Sequence, residues 1–150
     1  MGSKLLEFYR GERPNPAGLT IYDIHDFSYE ELEANHDYIQ WMFPLPEPSL
    51  YSSSAPLLRV EDRAKLGEGK AWENLFKSLL IMVDFYQSNF NLLDTEDHNV
   101  MRITRIVRCL TLVGKDEYAL AFCGLMIPLL TGEVEHTMWY WKEALKEVPA

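Results

Sequence analysis

The chain has 150 residues, 47% of them hydrophobic and 25% charged, with a formal net charge of −9. That balance predicts one compact domain over residues 1–150 and excludes extensive intrinsic disorder. A face for phosphate backbones would have to be built against the acidic average field, so direct nucleic-acid binding is disfavoured, whereas an amine-bearing ligand suits that field.

Residues 1–20 are punctuated by Gly11, Pro14, Pro16 and Gly18 and read as largely loop, with an apolar anchor at Leu5, Phe8 and Tyr9. The opening "MGSKLLEFYR" lacks the apolar run of a secretory leader. In "DFSYEELEANHDYIQWMFP", Ser28 is a natural N-cap and Glu31 completes a capping box. One helix is predicted from there to about Met42, where Pro44 stops it. Residues 44–56 contain Pro44, Pro46, Pro48 and Pro56 and predict a proline-rich surface loop. A short helix is expected over Val60–Leu66, broken at Gly67 and Gly69. "KAWENLFKSLLIMVDFYQSNF" follows, apolar nearly all round, as a central helix would be.

"NLLDTEDHN" is a polar connection. The next helix carries Met101, Ile103, Ile106, Val107, Leu110 and Val113 on a broad face, and Gly114 is its left-handed stop. "KDEYALAFCGLMIPLL" predicts a helix ended by Pro128, and "EVEHTMWYWKEALKEV" the last one. No segment alternates with period two, and no run is long enough to span a membrane. The fold class is therefore all-α: an irregular, orthogonal bundle of about five or six helices in one domain.

Chemistry-bearing residues gather in "HDYIQWMFP". On a continuous helix His36 shares a side with Leu32, Ile39, Gln40 and Phe43, while Asp37 and Trp41 share another. They do not converge by themselves, so acid–base work by His36 or Asp37 needs a partner from elsewhere. The plainer reading makes His36 and Gln40 hydrogen-bonding ties and Tyr38 and Trp41 core aromatics. The acidic groups Asp23, His25, Asp26 and Asp94, Glu96, Asp97, His98 lack zinc or calcium spacing, so no metal is expected. Arg102, Arg105 and Arg108 form a row that suits an anion or the chain's own carboxylates. Cys109 and Cys123 lie in apolar helices and read as reduced, inert thiols. In "MWYWKEA", Trp139, Tyr140 and Trp141 cannot all face one core, so at least one is exposed or lines a groove.

"FYRGE" at residues 8–12, "LEANHDYIQWMFP" at 32–44, "MVDFY" at 82–86, "MRITRIVRCLTLVGKDEYA" at 101–119 and "YWKEA" at 140–144 occur in this order. Together they resemble the conserved region of the opioid growth factor receptor family. "HDYIQWMFP" is the most specific piece, and the family's usual form has Leu where Met42 stands. The resemblance covers nearly the whole chain. It implies a helical, receptor-like binding domain; animal members are nuclear-associated receptors for the peptide Met-enkephalin, unrelated to seven-helix opioid receptors. It supplies no catalytic residue set.

The expectation is a soluble, intracellular binding or interaction domain, cytoplasmic by default and nuclear by resemblance only. Its ligand would be a peptide or small molecule, held by His36, Asp37, Tyr38, Gln40, Trp41, Arg105 and Trp141, with no cofactor. The pocket would be walled by residues 36–43, the proline-rich loop and the C-terminal aromatics. The rivals are a small enzyme using His36 and Asp37 on an amine-containing metabolite, and an adaptor whose exposed aromatics meet a protein partner.

Overall fold

A computed structural model describes residues 3–35, 37–48, 55–89, 98–132 and 134–146. Its elements are helical, and no strand occurs among the described residues; an isolated bridge joins Leu45 and Leu57. Contacts cluster into two compact units, Met1–Ser78 and Leu79–Ala150.

The first unit holds α1 (Lys4–Tyr9), α2 (Ile21–His25), α3 (Tyr29–Ala34), α4 (Tyr38–Met42), α5 (Val60–Leu66) and the start of α6 (Gly69–Ser88). Helices α1 to α5 have five to seven residues each. Isolated helices shorter than about 12–15 residues are marginal in water, so caps and packing must hold these. Ser3 accepts from the Leu6 N–H at 3.1 Å. Thr20 with Asp23, and Ser28 with Glu31, form complete capping boxes.

The helix predicted from Ser28 to Met42 is two helices. Asn35 caps α3 in an extended conformation (φ −91°, ψ 140°), and its side-chain amide donates to the Glu31 carbonyl at 2.9 Å. An Asn side chain that satisfies a terminal carbonyl competes with further helix, and the chain leaves the helix there.

Leu5, Leu6, Phe8 and Tyr9 are buried, and α1 packs against α5. The Phe8 ring centroid lies 5.0 Å from that of Trp41, and the Asn74 amide donates to the Tyr9 carbonyl. Gly11 has φ +78°, and a Cβ there would fall 2.4 Å from the Tyr22 ring. The positive backbone angle favours glycine, and any side chain there would also have to displace the exposed Tyr22 ring.

Helix α6 buries a stripe at Ala71, Asn74, Leu75, Ser78, Leu79, Met82, Phe85 and Tyr86, with Leu80 51% exposed. It is amphipathic rather than covered all round as its composition predicts. Apolar composition alone does not fix how much of a helix's circumference is covered.

The second unit holds the end of α6, then α7 (His98–Leu112), α8 (Asp116–Met126), a 3-10 turn at Ile127–Leu129 and α9 (Val134–Ala144). Ile103, Ile106, Val107 and Leu110 are fully buried on α7, and α8 and α9 both pack against it. Gly114, at φ +82°, turns the chain from α7 into α8 as expected. Pro128 lies in the 3-10 turn that ends α8. Inside this unit the Asn99 side-chain oxygen accepts from the Tyr86 hydroxyl at 3.2 Å and from Arg102 at 3.4 Å.

Gly11→Ala is expected to destabilise the protein by more than about 1 kcal/mol, since Ala pays at positive φ and meets the Tyr22 ring. Urea unfolding of the pair measures it.

Candidate functional site

The residues expected to hold a ligand separate by environment. His36 and the loop residues 49–54 lie outside the described residues. Asp37 is exposed at the start of α4 and makes no side-chain cap. Tyr38 is buried, and its hydroxyl donates to the Leu32 carbonyl at 2.7 Å; its ring meets Phe27 edge-on. Gln40 and Trp41 are also buried on α4. These three share one short helix of the first unit.

Arg105 and Trp141 belong to the second unit. Trp141 is 1% exposed, and its indole N–H donates to the Thr104 hydroxyl at 3.0 Å. Thr104 in turn donates to the Val100 carbonyl at 3.1 Å. This chain of bonds ties α9 to α7 one residue before Arg105, which is half-buried. Arg102 is buried beside Asn99 and Arg108 is half-buried, so the arginine row is not an open cationic face. Trp139 and Tyr140 are 55% and 50% exposed, as the crowding of aromatics in that helix predicts.

Between α8 and α9 lies a half-open cleft of about 300 Å³. One wall is Leu120, Cys123, Gly124 and Ile127; the other is Met138, Trp141, Lys142 and Leu145. Both sets follow i, i+3, i+4, i+7 spacing, so each wall is one stripe of a helix and its C-terminal extension. The walls are almost wholly apolar, and Lys142, an exposed residue, is the one charged side chain among the lining residues.

Gly124 is the residue that sequence reasoning missed. It is helical, its φ is not positive, and a Cβ built there meets nothing within 4 Å. Neither backbone conformation nor close approach demands glycine, although glycine costs about 1 kcal/mol against alanine inside a helix. What its missing side chain does is leave the cleft open. The signal was present in "CGLM", an isolated glycine within an apolar helical run.

Both cysteines are free and buried. Burial pushes the Cys109 thiol up to about 12 and the Cys123 thiol up to about 11. Neither is a nucleophile at neutral pH. Among the described residues no group of three His, Cys, Asp or Glu side chains could hold a metal ion.

His25, from the acidic stretch "YDIHDF", has a structural place. Its Nε2 lies 2.8 Å from the Ser78 hydroxyl, which itself donates to the Asn74 carbonyl at 3.0 Å. The hydroxyl proton being committed, His25 must donate from Nε2, which sets the tautomer. Its Nδ1 is buried without a partner. Burial first, then the Lys77 cation, lower its pKa to about 4, with Asp26 opposing.

The sequence profile of the opioid growth factor receptor conserved region matches residues 2–143. The opioid growth factor receptor of Mus musculus is 34% identical over 137 residues, covering 75% of this chain and 21% of that protein. The Homo sapiens receptor is 33% identical over 135 residues, covering 75% and 20%. Opioid growth factor receptor-like protein 1 of Mus musculus is 30% identical over 136 residues, covering 75% and 29%. The chain belongs to the opioid growth factor receptor conserved-region family. It spans less than a third of the length of these relatives. No solved structure matches it significantly. No helix among the described residues is long and apolar enough to cross a membrane.

Two outcomes follow. The folded state resists protonation of His25, so stability is full above pH about 6.5 and falls as pH drops from there toward about 4. His25→Gln should flatten that part of the curve, read as the difference in urea midpoints across pH. Gly124→Ala should stabilise the protein by about 0.5–1 kcal/mol through helix propensity, seen as a higher melting temperature.

Proposed function

We propose that the chain is an intracellular ligand-binding module, a single domain of the opioid growth factor receptor type, and that it binds through the α8/α9 cleft. The observation that carries the reading is Gly124, a helix-weakening residue with open space in place of a side chain. A position that lowers stability with no conformational reason is a candidate for function. Trp141 supplies an aromatic wall fixed by its bond to Thr104. Tyr38 and Trp41, both expected at the ligand, act in this reading as core of the first unit. Two free, buried cysteines suit a reducing compartment. The relatives are named receptors for an opioid growth factor, which supports a peptide or small-molecule ligand over catalysis.

A second reading has one observation in its favour: Trp139 and Tyr140 expose large aromatic faces side by side, their ring centroids 5.0 Å apart. Exposed aromatics of this kind mark protein interfaces, so an adaptor role through this pair is the alternative.

A thermal-shift screen of short peptides, Met-enkephalin among them, and of apolar metabolites separates the two. A ligand of the native state raises the melting temperature by mass action, by about 2.7 kcal/mol of stability at a hundredfold excess over Kd. The expected result is a hit whose shift disappears in Gly124→Leu. Hits that survive in Gly124→Leu, or a flat screen, overturn the cleft reading.

A further inference from the structure

We infer that the α8/α9 cleft takes a small anionic amphiphile: a free alkyl or arylalkyl carboxylate. Its hydrocarbon would lie between the two helices and its carboxylate would meet Lys142. The inference rests on the reading of the cleft as a ligand site and names the ligand's chemistry.

The hydrocarbon body follows from the walls. Leu120, Ile127, Met138 and Leu145 offer only aliphatic and thioether surface, and the indole N–H of Trp141 is already given to Thr104. A polar ligand body would lose its water and find no partner there. Apolar surface gains by leaving water, at about 25 cal/mol per Å².

The size follows from the cleft. Its volume of about 300 Å³ is at the lower end of small-molecule pockets, which run from about 300 to 1,000 Å³. Eight residues line it, against the roughly 20–30 per side of a stable protein interface. One short chain or an arylalkyl group fills it; a folded partner does not.

The head group follows from Lys142. This ammonium makes no hydrogen bond or ion pair with any described residue. The adjacent Glu143 is engaged by Lys146 at 2.9 Å. Although the whole chain is acidic, that general field is screened beyond about 8 Å at physiological salt, so the nearby ammonium decides which sign of charge the cleft prefers. An exposed contact of this kind is a selector rather than the source of affinity.

Titration calorimetry with octanoate, octan-1-ol and octylamine, which share one tail, tests this on the full chain. The wild type should bind octanoate, with octanol roughly three- to five-fold weaker and octylamine weaker still. Lys142→Met should remove the carboxylate's advantage over the alcohol. Gly124→Leu should lose all three by roughly ten-fold or more while melting no lower than the wild type, because Leu is the better helix former. If the alcohol or amine binds as well as the acid and Gly124→Leu abolishes both, the cleft binds ligands but the anionic inference is overturned. If no tail binds in a way that Gly124→Leu removes, the amphiphile is overturned outright, and the peptide arm of the thermal-shift screen decides the broader reading separately.

Discussion

A helix of five residues has almost no stability of its own. Its first turn fixes several backbone angles for a single hydrogen bond, and it ends before propagation repays that loss. The first unit is built from such pieces, so it depends on groups that satisfy helix ends. Thr20, Asp23, Ser28 and Glu31 act on α2 and α3. The Asn74 amide donates to the carbonyl of Tyr9 at the end of α1. His25, Ser78 and Asn74 continue this into a small buried chain of donors and acceptors. Each bond is worth only about 1 kcal/mol net; the caps are exposed, but losing a buried bond, such as the one from Asn74 to Tyr9, leaves a polar group with its full desolvation cost.

The second unit solves the same problem with length. Helix α7 has 15 residues and carries a wide apolar face on which α8 and α9 are both laid. Two helices resting on a third need not close against each other, and the space between them is the cleft. Trp141 sets one side of that space at a defined height, because its ring is buried on α7 and its N–H is held by Thr104. Gly124 keeps the other side low. The cleft is thus a product of packing on α7, not of a flexible loop.

Long amphipathic stretches were the readable part of the sequence. The α7, α8 and α9 segments, the Gly114 stop and the Pro128 ending all follow from periodicity and from two residues with restricted backbones. Helix α5 was readable because Gly67 bounds it. Helix α2 was not, since five residues hold too little of a 3.6-residue period to stand above noise. The break at Asn35 was hidden for a different reason: a helical pattern of apolar residues runs straight across it, and only the side-chain bond to Glu31 tells the two helices apart. At the candidate site, that at least one of Trp139, Tyr140 and Trp141 must leave the core was legible from geometry alone, because neighbouring residues on a helix diverge by about 100°. Which aromatic would be the buried one was not, because that depends on α9's rotation about its axis on α7. "HDYIQWMFP" drew attention by composition, yet Tyr38 and Trp41 face inward there. Aromatic density marks a core as readily as a pocket.

The bridge between Leu45 and Leu57 has a consequence for how this sequence can vary. The Leu58 N–H donates to the Leu45 carbonyl at 2.9 Å, which pins both ends of the proline-rich stretch. Leu45 and Leu58 are themselves buried, so the clasp is anchored in the first unit rather than hung from it. With its base fixed, the intervening chain can lengthen without moving the helices on either side, and each doubling costs only about 0.6 kcal/mol of closure entropy. Insertions acquired by descendants of this sequence would therefore be tolerated there at little thermodynamic penalty, making the stretch between the clasped leucines a natural place for new segments to be grafted during divergence.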